Sequence, residues 1–105
     1  QVNIDDEPSK SGVTPGELPA LAAAVAALPR ERVRLRGLMA IPAPAQGEVA
    51  QRAPHRRLRE ALEALNAHGL ALDTLSMGMS DDLEAAIAEG ATLVRVGSAI
   101  FGRRA

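Results

Sequence analysis

Leu75-Ser76-Met77-Gly78-Met79-Ser80-Asp81-Asp82 carries a short apolar strand into a glycine-bearing turn, and two acids then open a helix. A weaker version follows at Leu93-Val94-Arg95-Val96-Gly97-Ser98-Ala99-Ile100. Strand, Gly/Ser turn and helix start, used twice, gather backbone N–H groups suited to an anion, above all a phosphate. Taken alone, the first segment reads equally well as an ordinary strand-to-helix turn in which Ser80 only caps.

Strand-like and helix-like segments alternate around these turns. Val2–Ile4 reads as a strand, and the polar loop from Asp5 to Gly12 holds the only lysine, Lys10. Thr14, Pro15 and Glu17 spell a capping box for a helix from Pro15 to about Leu28, with Leu18, Leu21, Val25 and Leu28 on one face. Pro29 stops it. Val33–Ile41 alternates at first and then turns continuously apolar, as a strand buried on both faces does. After the loop Pro42–Gly47, a second helix runs from about Pro54 to Ala67 with Leu58, Leu62 and Leu65 inward, and Gly69 ends it. Leu72–Met77 is the third strand, Asp81–Glu89 the third helix and Leu93–Val96 the fourth strand. Asp81, Asp82 and Glu84 suit the positive end of that third helix.

The order βαβαβαβ with short connections predicts an α/β fold with parallel strands and right-handed crossovers. Four strands and three helices make either half of a (β/α)8 TIM-type barrel or a small open doubly wound sheet. Barrels commonly bind phosphate after strands 7 and 8, which predicts the second half of a barrel. The chain starts at Gln1 with a strand already under way and stops at Arg103-Arg104-Ala105, where a closing helix would begin. A piece of a longer protein is therefore expected, forming one domain over residues 1–105.

Composition narrows the function. Apolar residues make up 47% of the 105, but alanine dominates them, and there is one Phe and no Tyr or Trp. The missing aromatics argue against a base-stacking platform. The net charge of −1 gives no general attraction to nucleic acid or an anionic membrane. Without cysteine there is no disulfide, thiolate zinc site or cysteine nucleophile. No apolar run approaches the roughly 20 residues of a membrane span, so a soluble cytoplasmic domain is expected.

Several side chains carry two readings each. Arg95 sits inside an apolar strand and needs a partner, either a carboxylate on a neighbouring strand or a ligand. Met77 and Met79 read as core filler or as ligand contacts. Lys10 reads as a solvated loop residue or as an amine near the phosphate turns. His55 and His68 are expected on the surface, and two separated histidines make no metal site. Arg52, Arg56, Arg57 and Arg59, beside Glu60 and Glu63, predict a salt-bridged outer face.

The same segments carry a family resemblance. Gln1-Val2-Asn3, Ser9-Lys10-Ser11-Gly12, Arg36-Gly37-Leu38-Met39-Ala40-Ile41-Pro42, Leu75 to Asp82, and Arg95-Val96-Gly97-Ser98-Ala99-Ile100-Phe101-Gly102 follow one another with the order and spacing of a known pattern. Together they resemble the pyridoxal 5′-phosphate (PLP) homeostasis proteins, related to the N-terminal barrel of alanine racemase, over essentially the whole chain. The resemblance implies a PLP-binding barrel without established turnover, acting in vitamin B6 and amino-acid balance. Carried over by position, it implies that Ser76, Gly78, Gly97 and Ser98 hold the phosphate and that Met77 lines the same cup. Arg95 would face the pyridine nitrogen, which it would keep unprotonated, and Asn3 and Met39 would lie near the ring. Members commonly carry Thr where Ser98 stands, and Ser keeps the hydroxyl. The family's Schiff-base lysine sits on the first barrel strand, outside this chain, and Lys10 matches a different lysine after the fifth.

Three functions follow. The first is a PLP-binding module that serves PLP-dependent apoenzymes. The second is an alanine-racemase-like enzyme, for which the chain offers few acid/base candidates. The third is a structural half-barrel that pairs with a missing half or with itself. The first is favoured, and the third is compatible with it.

Overall fold

The computed structural model describes residues 1–102. Its element order is α1 (Leu18–Ala26), β1 (Gly37–Met39), α2 (Glu48–Ala67), β2 (Thr74–Ser76), α3 (Leu83–Ala88) and α4 (Ser98–Phe101). β1 and β2 pair in parallel, with Gly37 opposite Thr74, Leu38 opposite Leu75 and Met39 opposite Ser76. The α/β class with parallel strands holds.

The full set of four strands does not form. Val2 makes only an isolated parallel bridge to Val13, and Leu93 only one to Ser76. Both segments still lie against the sheet. The Val2 N–H donates to the Met39 carbonyl at 2.8 Å, and the Met77 N–H donates to the Leu93 carbonyl at 3.1 Å. The expected strand Val33–Ile41 shrinks to Gly37–Met39 because β2 offers partners to three residues only. Gly37 makes even that pairing possible, since a Cβ there would overlap the backbone of Thr74.

The capping-box bonds form as expected, but α1 itself starts at Leu18 and not at Pro15, because residues 15–17 make a turn. The Thr14 hydroxyl accepts from the Glu17 N–H at 3.2 Å, and the Glu17 carboxylate accepts from the Thr14 N–H at 3.2 Å. The Thr14 hydroxyl, which donates to the Glu17 carboxylate at 2.9 Å, and then the Thr14 N–H hold the Glu17 carboxyl below the usual carboxylate range. The buried face differs from expectation. Leu18 and Ala22 point inward, while Leu21 and Leu28 are exposed.

α2 starts at Glu48, well before the Pro54 that its sequence pattern suggested, so Pro54 lies inside the helix and not at its start. Its inward stripe is His55, Leu58, Leu62 and Leu65, at steps of three and four residues. Gly69 follows it with φ 105°, as a left-handed terminator must. Leu58, Leu65, Leu38, Leu75, Met77 and Ala86 meet in one core. α3 is shorter than expected, preceded by a turn over 80–82 and ended by Glu89 and Gly90. α4 is an addition to the expected elements, and the residues 103–105 lie outside the described part. Among the described residues no helix is long and apolar enough to cross a membrane.

Candidate functional site

A cleft of about 960 Å³ opens beyond the C-terminal ends of β1 and β2. Three segments wall it. One is the proline-rich stretch Ile41–Gln46, the second is the turn Gly78–Asp82, and the third comprises Gly97, Ser98, Phe101 and Gly102. Gln51 and Pro54 of α2 close the back. The Gln51 amide donates to the Ala45 carbonyl at 3.2 Å and to the Asp81 carbonyl at 3.4 Å, tying two walls together.

The two Gly/Ser turns are bonded to each other. The Arg95 N–H donates to the Gly78 carbonyl at 2.9 Å, and the Ala99 N–H donates to the Ser80 hydroxyl oxygen at 3.0 Å. Because that oxygen accepts, its own proton is left to donate elsewhere. Among the described residues, the N–H groups of Gly78, Ser80, Gly97 and Ser98 have no hydrogen-bond acceptor. The arrangement supplies several neutral donors at two adjoining walls of one cleft, which is the chemistry a phosphate group takes.

Of the residues named from sequence, Gly78, Gly97 and Ser98 line this cleft. Gly78 is buried with φ 103°, and a Cβ on it would come within 2.6 Å of the Ala86 Cβ. Its lack of a side chain is therefore required by packing against α3 as well as by the turn. Ser76 ends β2, and its carbonyl accepts from the Ala40 N–H at 3.2 Å. Met77 is completely buried, with its N–H spent on Leu93, so its side chain belongs to the core and not to the cup.

Asn3 and Met39 also stand apart from the cleft. The Asn3 amide donates to the carbonyls of Glu7 at 2.7 Å and Lys10 at 3.3 Å, while its oxygen accepts from the Glu7 N–H at 3.0 Å. That side chain clamps the loop over residues 3–10. Met39 is half-buried in β1 and outside the cleft wall. Lys10 is tethered, with its ammonium 2.6 Å from the carbonyl oxygen of Ile41.

Arg95 is half-buried and takes no carboxylate among the described residues. Its Nη2 donates to the carbonyls of Ala40 at 2.8 Å and Ser76 at 3.5 Å, at the strand ends from which the cleft opens. Its Nε is buried without a partner among the described residues. An unpartnered buried donor on a charged group is costly, so an acceptor is wanted there.

Two groups escaped the sequence reading. His55 is fully buried, not on the surface, and its Nε2 lies 2.7 Å from an oxygen of Asp82. Its place three residues before Leu58 was the available signal. Glu89 is the other, buried beneath Arg52, Arg56 and Arg59. Among the described residues no cluster of His, Asp or Glu could hold a metal.

The family model of the alanine racemase N-terminal domain matches residues 1–105, the whole chain. The chain belongs to this family. Within the alanine racemase N-terminal domain family, a pyridoxal phosphate homeostasis protein of Pseudomonas aeruginosa is 64% identical over 104 residues, covering 99% of this chain and 43% of its own length. Its namesake in Escherichia coli K12 is 58% identical over 99% of this chain and 44% of its own. The chain thus spans less than half the length of these relatives. Among solved structures of the same fold, PipY of Synechococcus elongatus with PLP bound superimposes with a TM-score of 0.82 at 34% identity, covering 96% of this chain and 47% of PipY. A protein of unknown function from Bifidobacterium adolescentis gives a TM-score of 0.83 at 40% identity, over 95% of this chain and 40% of that one.

Proposed function

We propose that this chain is the phosphate-holding half of a PLP-binding homeostasis protein, a cytoplasmic carrier without turnover of its own. One observation carries the reading. The turns Gly78-Met79-Ser80 and Gly97-Ser98-Ala99 are hydrogen-bonded to each other on two adjoining walls of a cleft and keep N–H groups there that are uncommitted among the described residues. The likeness to a PLP-bound PipY structure supports the same ligand. In this reading the chain supplies the later strands of a (β/α)8 barrel, in the order βαβαβαβ, and its two edges pair with the earlier ones.

The residues present suit PLP. Gly78, Gly97 and Ser98 would take the phosphate, together with Ser80. Arg95 stands behind that lining, and its Nε, unpartnered among the described residues, is the donor it would offer the pyridine nitrogen. When bound, PLP supplies an aldehyde carbon and an electron-withdrawing ring. Arg95 stays charged and can only donate, so it would hold the ring nitrogen unprotonated and keep that electron sink weak. A weak sink suits storage and delivery to apoenzymes better than turnover.

Equilibrium dialysis against PLP, with pyridoxal as the control lacking phosphate, tests the reading. PLP is expected to bind and pyridoxal far less. Equal binding of both would point to aldehyde chemistry at Lys10 or the N-terminus and would overturn the assignment.

A further inference from the structure

We propose that His55 is a positioning residue for the phosphate turn, acting through Asp82. The proposal rests on the reading of the cleft as a phosphate site. Asp82 has both carboxylate oxygens committed. Oδ2 lies 2.7 Å from His55 Nε2, and Oδ1 accepts the Met79 N–H at 2.8 Å. The imidazole is 0% exposed, and its Nδ1 has no partner among the described residues. A bare ring nitrogen is tolerated in such a place better than an orphaned N–H, so the proton belongs on Nε2, where it donates to Asp82.

The consequence is a mechanical chain. His55 is fixed in α2 by the same stripe that places Leu58 and Leu65 in the core. Through the carboxylate it fixes the Met79 amide, in the middle of the turn Gly78–Asp82. Ser80 follows directly, and its hydroxyl oxygen receives the Ala99 N–H at 3.0 Å, which passes the position on to the second turn. Donor groups aimed at a phosphate contribute most when they need not rearrange on binding. His55 touches no ligand in this scheme and sets where the donors stand.

The test compares His55→Leu and His55→Gln in the full chain. Leucine keeps apolar bulk and removes the donor, whereas the glutamine amide can still reach Asp82. Two quantities are read, namely the ratio of PLP to pyridoxal affinity and the hydrogen-exchange rate of the Met79 N–H. His55→Leu is expected to weaken PLP about tenfold, leave pyridoxal within about twofold, and speed Met79 exchange. His55→Gln should restore all three. An unchanged affinity ratio in a folded His55→Leu protein overturns the proposal, as does a glutamine variant that behaves like leucine. If His55→Leu does not fold, His55→Asn, too short to reach Asp82, takes its place with the same expectations. A parent chain that holds PLP and pyridoxal equally defeats the functional reading instead. Met79 exchange then decides the linkage alone, and equal protection in parent and variant overturns it.

Discussion

The Nε of Arg52 lies 2.7 Å from Oε2 of Glu89, a carboxylate that is 2% exposed at the end of α3. Arg56 approaches the same oxygen at 3.1 Å and Arg59 reaches the other at 3.2 Å. Steps of four and three residues put the three arginines on one face of α2, so a single acid fastens that face to α3. The bonds from Arg56 and then Arg52 lower the Glu89 carboxyl from 4.5 to about 2.

A depressed carboxyl gives stability that is fully present above its unfolded value and is lost as pH falls through its folded one. Thermal melts of the parent chain should therefore lose stability between pH 4.5 and about 2 because of Glu89. Glu89→Gln should melt lower than the parent at neutral pH and show a flatter acid limb. Parallel acid limbs in the two proteins would remove Glu89 as the cause.

Gly37→Ala should unsettle the sheet. The added Cβ would meet the Thr74 backbone, which cannot swing aside as a side chain does. The expected loss is about 2–3 kcal/mol, at the upper end for an overpacked site, and denaturant melts would measure it.

Glycine substitutions in the cleft separate packing from binding. A Cβ at Gly97 meets no other atom within 4 Å, whereas one at Gly78 collides with Ala86. Gly97→Ala should keep the melting temperature and lower PLP affinity about tenfold, with pyridoxal unaffected. Gly78→Val should lose stability first, which makes it the poorer probe of phosphate approach.

Asn3→Ala removes three hydrogen bonds that hold the loop over residues 3–10. Stability should fall by about 1–3 kcal/mol in denaturant melts. The PLP-to-pyridoxal ratio should stay as it was, since Asn3 does not line the cleft. A changed ratio at unchanged stability would return Asn3 to the ligand.

What the sequence made legible was local. The Thr14–Glu17 box, the terminator Gly69, and the glycine turns at Gly78 and Gly97 each depend on a few neighbouring residues, and each stands where it was read. Pro54 misled because proline is favoured at a helix start, yet here the helix begins at Glu48 and tolerates it inside. The arginines of α2 were matched to Glu60 and Glu63 nearby, but Arg52, Arg56 and Arg59 share Glu89, which only the packing of two helices brings close, and Arg57 pairs with Asp5. The clamp made by Asn3 was hidden for the same reason, because only the fold of residues 3–10 brings its amide to Glu7 and Lys10.

The bond between Ser80 and Ala99 has a thermodynamic consequence. α4 buries none of its residues, and Phe101 is 85% exposed, so little apolar contact keeps this last segment seated. Such a segment opens at low cost, independently of global unfolding. Any ligand gripping both turns acts as a rivet, adding RT ln(1 + [L]/Kd) to the seated form alone. Affinity and the order of the chain's final turn are then two readings of one equilibrium, and each can be tuned by altering the other.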